Sequence, residues 1–177
     1  SCHPARMRPP ADIFVAASSV ASNCSPEFKS PQEANSLLAR ALVHELGHAV
    51  EFQLAEKGFP FLERWNSEGF ASWFKTHAGQ SFVGRDKVYN RSMFRAQAKE
   101  LLTPDWRPSA FNGSSEDYMR SYALVSVIAD GRSLSRLTDL YRRMARDQIS
   151  LTVAVKRELG WDEEQWVAEA RRYLGSK

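Results

Sequence analysis

Long apolar runs are missing from this chain. No stretch approaches the roughly 18 residues that a membrane-spanning helix requires, so no transmembrane span is expected. An excess of charge of one sign is missing too. Twenty-four Lys and Arg stand against twenty-one Asp and Glu, a net charge of +3. The basic residues are scattered or interleaved with acids, as in "YRRMARDQ" and "EARRYLGSK". That pattern reads as solvated helix faces rather than the clustered stripe of a nucleic-acid binder. Cysteine is nearly absent, and both copies, Cys2 and Cys24, lie near the start. A bridge between them would tie the N-terminal segment together and imply an oxidising compartment, hence a secreted or periplasmic protein. The opening "SCHPARMRPPADIF" shows neither an initiator Met nor the apolar core of a signal peptide, which reads as a mature or excised chain. Internal repeats and polar low-complexity tracts are also lacking, which excludes a solenoid and a long disordered region.

What remains is a chain of 177 residues, 43% hydrophobic and 25% charged, long enough for one substantial core and too short to demand two. The stretch "ADIFVAAS" (Ala11 to Ser18) follows Pro9 and Pro10 and, being apolar and β-branched, predicts a short strand. Helix signals dominate the rest. Ser30 as N-cap, Pro31 at the first helical position and Glu33 completing a capping box predict a helix from Pro31 to about Lys57, stopped by Gly58 and Pro60. Its apolar face is expected to comprise Leu37, Leu38, Ala41, Leu42, Leu46, Ala49 and Val50. A second helix is expected over Phe61 to His77, packing through Trp65, Phe70, Trp73 and Phe74. Further helices are expected in "DKVYNRSMFRAQAKELL", "SSEDYMRSYALVSVIADG", "SLSRLTDLYRRMARDQ", "SLTVAVKRELG" and "WDEEQWVAEARRYLG", the last with Asp162 and Gln165 spaced as a capping box. The fold class is therefore mostly α (α+β). One domain over 1–177 divides into a strand-containing segment (1–30), a pair of helices (31–79) and a further helical part (80–177).

Chemistry concentrates in "LVHELGHAVEF", which holds two of the four histidines. Helical residues four apart differ by about 40° around the axis, so His44 and His48 can face one metal ion. Glu45, turned about 100° from His44, stands beside such an ion, where it can take a proton from an attacking water. His-Glu-x-x-His is short enough to arise by chance, so a third ligand is required. His77 is one candidate, and Glu68 in "WNSEGFASWF", expected to face the first helix across a short turn, is the better one. The His-x-x-Gly-x-x-His extension of the metzincins is absent.

With Glu68 the pattern resembles a known family. His44, Glu45, His48 and Glu68 stand at offsets similar to those of the gluzincins, the thermolysin-like and aminopeptidase N-like branch of the zinc metallopeptidases. "EGFAS" looks like the signature around that family's glutamate ligand, and "YMRSYALV" resembles its Tyr-x-x-Gly/Ser-aromatic-Ala-Leu segment. The resemblance spans residues 31–175 in order of elements, with specific motifs in three short stretches. It implies a zincin-like catalytic domain with Zn²⁺ held by His44, His48 and Glu68, Glu45 as general base, and Tyr118 as donor to the oxyanion, with Tyr122 the alternative. Ser67 stands where the family has Asn, and Ser72 stands where thermolysin-like proteins place an aspartate that orients a ligand histidine. That support is expected instead from Ser72 or a main-chain carbonyl. No Gly-x-Met-x-Asn segment, which grips a substrate's free amino terminus in aminopeptidase N, precedes the motif. The pattern is closer to minimal peptidase MA-like domains and to the Glu-Gly-x-Ala stretch of bacterial collagenases.

The expectation is a zinc-dependent peptidase acting on peptide or protein substrates, endopeptidase rather than exopeptidase, with "ADIFVAAS" as the edge strand that pairs with an extended substrate. The alternative is a catalytically silent zincin-fold binding module or an accessory domain of a larger protein. The chain carries no signal of oligomeric state.

Overall fold

The computed structural model describes residues 5–8, 12–15, 31–83 and 91–176, and side chains for 39–56, 60–78 and 91–176. Cys2, Cys24 and the Ser30 cap lie outside the described residues. Two short strands, β1 (Ala5–Arg8) and β2 (Asp12–Val15), pair antiparallel with Ala5 opposite Val15 and Arg8 opposite Asp12. Everything else described is mostly helical: α1 (Pro31–Ala55), α2 (Arg64–Val83), α3 (Arg91–Leu101), α4 (Ser115–Ala129), α5 (Leu134–Asp147), α6 (Leu151–Leu159) and α7 (Glu163–Gly175). No described helix is long and apolar enough to cross a membrane.

The organising element is α4. Its second half, Ser121 to Ala129, is buried at every position, because "SYALVSVIA" offers no charged residue to any side and a helix that is apolar all round must be enclosed. α2, α3, α5 and α7 pack around it. The core is rich in aromatics: Trp166 is fully buried, donates its Nε1–H to the Leu124 carbonyl at 3.1 Å, and meets Trp65 edge-on at 5.2 Å. The later helices stop and start as their punctuation requires. Ser114, Ser133 and Ser150 accept from the backbone N–H groups of Asp117, Arg136 and Val153, and Asp162 with Gln165 forms the full capping box.

Three details depart from the sequence reading. α1 ends at Ala55, since Glu56 takes a positive φ of 45° and a 3₁₀ turn (Glu56–Phe61) follows. α2 starts at Arg64 rather than Phe61 and runs past Gly79 to Val83, so that glycine does not stop it. The buried line of α1 is also rotated by about one residue from the leucine-rich face. Val43, Gly47, Glu51 and Ala55 are buried, whereas Leu42 is 39% exposed and Leu46, Ala49 and Val50 are half-buried. The reason is close approach: a Cβ on Gly47 would lie 2.8 Å from the Cα of Ala71, so α1 and α2 meet along small residues that large leucines would hold apart.

Asp130, at the end of α4, ties four helices together. Its side chain, 9% exposed, accepts from Trp73 Nε1 at 2.9 Å and Arg91 Nη2 at 2.6 Å, lies 3.1 Å from His77 Nε2, and accepts from the Tyr173 hydroxyl at 3.3 Å. Burial pushes its pKa up, but His77, Trp73 and Arg91 outweigh this and hold it down at about 2. A depressed carboxylate contributes stability that is present above its unfolded value of 3.8 and is lost as pH falls through its folded one. Asp130→Asn is therefore expected to lower stability by about 2 kcal/mol at pH 7. The gap between variant and wild type should narrow as denaturant titrations move from pH 5 toward about 2.

Candidate metal centre and active site

Two glycines place the site. Gly47 lets α1 settle on Ala71 of α2, and Gly69 lets α2 settle on α4, where a Cβ would lie only 2.6 Å from the Ser121 carbonyl oxygen. One is the third residue after His44 and the other directly follows Glu68, so close packing acts next to these side chains. His44, Glu45 and His48 come from α1, Glu68 from the first turns of α2, and Tyr118 from the first turn of α4.

The ligand atoms converge. His44 Nε2 lies 3.1 Å and His48 Nε2 3.6 Å from the same oxygen, Glu68 Oε2, with side chains 14%, 15% and 16% exposed. One ligand atom from each residue falls within 4.8 Å of the others. Ligands about 2.05 Å from a tetrahedral zinc ion stand about 3.3 Å apart along each edge, so both measured edges fit such an ion with little movement. Two imidazoles and one carboxylate are also a donor set that zinc accepts while keeping a position open. Among the described residues this is a group able to hold a metal ion; the histidine pair stands T-shaped with ring centroids 4.9 Å apart.

The electrostatics suit the same task. Burial pushes His44 down to about 4, so it is neutral at pH 7. His48 is also penalised by burial, but its hydrogen bond to Glu68 and the charges of Glu68, Glu51 and Glu45 raise it above 6.5. Burial alone would raise Glu68, yet its contacts with His44 and His48 hold it well below the usual carboxylate range, so it is ionised. Glu45, half-buried, is raised from 4.5 by burial and by the Glu68 charge, against the pull of His48.

The structure separates the two tyrosines. Tyr118 lies with its ring centroid 6.1 Å from that of His44, close enough to Glu68 and Arg64 for both to influence its hydroxyl. Burial and the Glu68 charge push it up to about 12, so it holds its proton and remains a donor. Tyr122 is fully buried in the core, edge-on to Phe94 at 5.8 Å. His77 is likewise away from the cluster, engaged with Asp130 and with the Trp73 carbonyl at 2.8 Å.

Sequence reasoning missed several neighbours. Arg64 sits beside Tyr118, its Cζ 5.7 Å from the Phe111 ring centroid. His48 Nδ1 meets not Ser72 or a carbonyl but Ser67 Oγ, at 3.0 Å, and Ser67 in turn donates to Glu51 Oε2 at 2.6 Å. The legible signal for Glu51 was its spacing: it is the one acid in a line of small and apolar residues, Val43, Gly47 and Ala55, at intervals of four. His44 Nδ1, by contrast, has no hydrogen-bond partner among the described residues.

No protein-family model, curated protein or solved structure matches the chain. The functional reading therefore rests on the residues themselves.

Proposed function

We propose that this protein is a zinc-dependent peptidase of the gluzincin type with a zincin-like fold, cleaving within peptide or protein chains. The observation that carries the reading is the placing of His44 Nε2 and His48 Nε2 at 3.1 and 3.6 Å from one oxygen of Glu68, with Glu45 and Tyr118 beside them. His44, His48 and Glu68 would hold the ion, which when bound supplies Lewis acidity toward water and the scissile carbonyl. Glu45 takes a proton from the attacking water and passes it to the leaving amine, a role suited to a carboxylate raised above 4.5. Tyr118 keeps its phenolic proton and donates a hydrogen bond to the carbonyl oxygen as it gains negative charge. Strand β2 (Asp12–Val15) would pair with the extended substrate as an edge strand. A Cys2–Cys24 bridge would suit secretion or a periplasmic setting.

The reading is tested by metal uptake and cleavage together. One zinc ion should bind per chain. At pH 7 the number of protons released on binding should be set by His48, which its carboxylate neighbours raise above 6.5 and which must bind the ion without its proton, whereas His44, lowered to about 4, is already neutral. Calorimetry in buffers of different ionisation enthalpy reads that number directly. The zinc-loaded protein should cleave internal bonds of a peptide library, lose that activity to a chelator and regain it with zinc. A zinc-loaded chain that cuts nothing in the library overturns the peptidase reading.

A further inference from the structure

Glu51 lies at the heart of the α1 line that packs on α2, with 0% exposure. A buried carboxylate is tolerated only when its oxygens are well supplied with donors, and here they are. Oε2 accepts from Ser67 Oγ at 2.6 Å. Oε1 accepts from Asn66 Nδ2 at 2.9 Å and from the Tyr141 hydroxyl at 2.8 Å. The second amide proton of Asn66 goes to the Tyr141 oxygen at 3.3 Å. Turning the Asn66 amide over would aim its oxygen at the carboxylate, so the amide orientation is settled by the network.

The directions of these bonds determine one more. Tyr141 spends its proton on Glu51, Asn66 spends both of its amide protons, and Ser67 spends its hydroxyl proton on Oε2. Burial raises Glu51 from 4.5; with its carboxylate ionised, Ser67 Oγ faces His48 Nδ1, 3.0 Å away, with only a lone pair, and Nδ1 carries the proton. The lone pair of neutral His48 is thereby left on Nε2, the atom that points toward Glu68.

Resting on the metal site proposed above, we infer that Glu51 is a positioning residue for that site: acting through Ser67, its side chain locks His48 in the tautomer that binds metal and increases the basicity of the ring. Tyr141 brings α5, 90 residues along the chain from Glu51, into support of that ligand. A carboxylate that served only to tie helices together would be replaceable by its amide. At position 51 the amide reverses the relay. Glutamine keeps an oxygen for Asn66 and Tyr141 but offers an N–H group to Ser67; Ser67 then accepts from it and donates its own proton to His48 Nδ1. The neutral ring would hold its proton on Nε2 and lose the competent lone pair.

The experiment compares wild type, Glu51→Gln, Ser67→Ala and the double variant by zinc competition titration, thermal melting and ¹⁵N NMR of the histidine rings in metal-free protein at about pH 9. Glu51→Gln should bind zinc about 10- to 100-fold more weakly, with a melting temperature equal to or above wild type because a buried charge has been removed. Ser67→Ala should weaken zinc binding too, and the double variant should lose no more than the larger single loss. Neutral His48 should be protonated on Nδ1 in wild type and on Nε2 in Glu51→Gln. A folded Glu51→Gln protein with wild-type zinc affinity, or with His48 still protonated on Nδ1, overturns the inference. If wild type takes up no zinc, the metal reading fails by itself, and the tautomers in metal-free protein still decide whether the relay exists.

Discussion

Glutamine in place of Glu45 should lower peptide-bond cleavage by about 10²- to 10⁴-fold while zinc still binds with wild-type stoichiometry. The amide is nearly isosteric and Glu45 is not among the converging ligand atoms, so the metal group itself is undisturbed. What disappears is the only function the amide cannot copy, accepting a proton from water and returning it to the leaving amine. Burial and the neighbouring Glu68 charge already raise Glu45 from 4.5, which brings it nearer the pH at which a base transfers protons most effectively. Zinc content and kcat measured on the same preparation separate the two effects. Full activity in a zinc-loaded Glu45→Gln protein would sink its assignment as the base.

A single methyl group at Gly69 should do comparable damage by a different route. An alanine Cβ there would stand 2.6 Å from the Ser121 carbonyl oxygen and 2.8 Å from its carbon. Those are backbone atoms of the most enclosed helix, so the overlap must be relieved by moving α2 and α4 apart. Overpacking of this kind costs about 1–3 kcal/mol. Here it also separates Glu68 from Tyr118, because one precedes the glycine and the other lies three residues before Ser121. Gly69→Ala is therefore expected to unfold at lower denaturant concentration and to bind zinc more weakly. Gly175→Ala, where an added Cβ meets nothing within 4 Å, should leave both unchanged. A Gly69→Ala protein as stable as wild type would show that the helices do not meet there.

Much of the site was legible because it is local. His44 and His48 share a face through helical spacing alone, and Glu45 follows one of them directly. Glu68 needed a short turn and a second helix, both announced by Gly58, Pro60 and the aromatic spacing that follows. The capping box at Asp162 and Gln165 needed only four consecutive residues and appears as expected. The choice between Tyr118 and Tyr122 was different. Both lie on the same helix, and only its enclosure by its neighbours places Tyr118 beside His44 and Tyr122 inside the core.

The leucine-rich face of α1 misled for a related reason. Apolar periodicity records which residues prefer burial, whereas the contact line between two helices is settled by how closely their backbones approach. Gly47 against Ala71 permits the closest approach, so Leu42 is left partly exposed and an acid, Glu51, is carried into the interior. No rule of composition places a carboxylate there. It is stabilised only because Asn66, Ser67 and Tyr141, from two other helices, bring it three donors.

The sequence by itself determined the helical character, the helix caps and the local chemistry of "HELGH" and "EGFAS", since these depend on dihedral preference and on spacing within a few turns. Only the tertiary structure decided the line along which α1 meets α2, the tyrosine that lies beside His44 and the residue that meets His48 Nδ1. Those depend on distances between atoms far apart in the chain, which close packing sets and local preference does not.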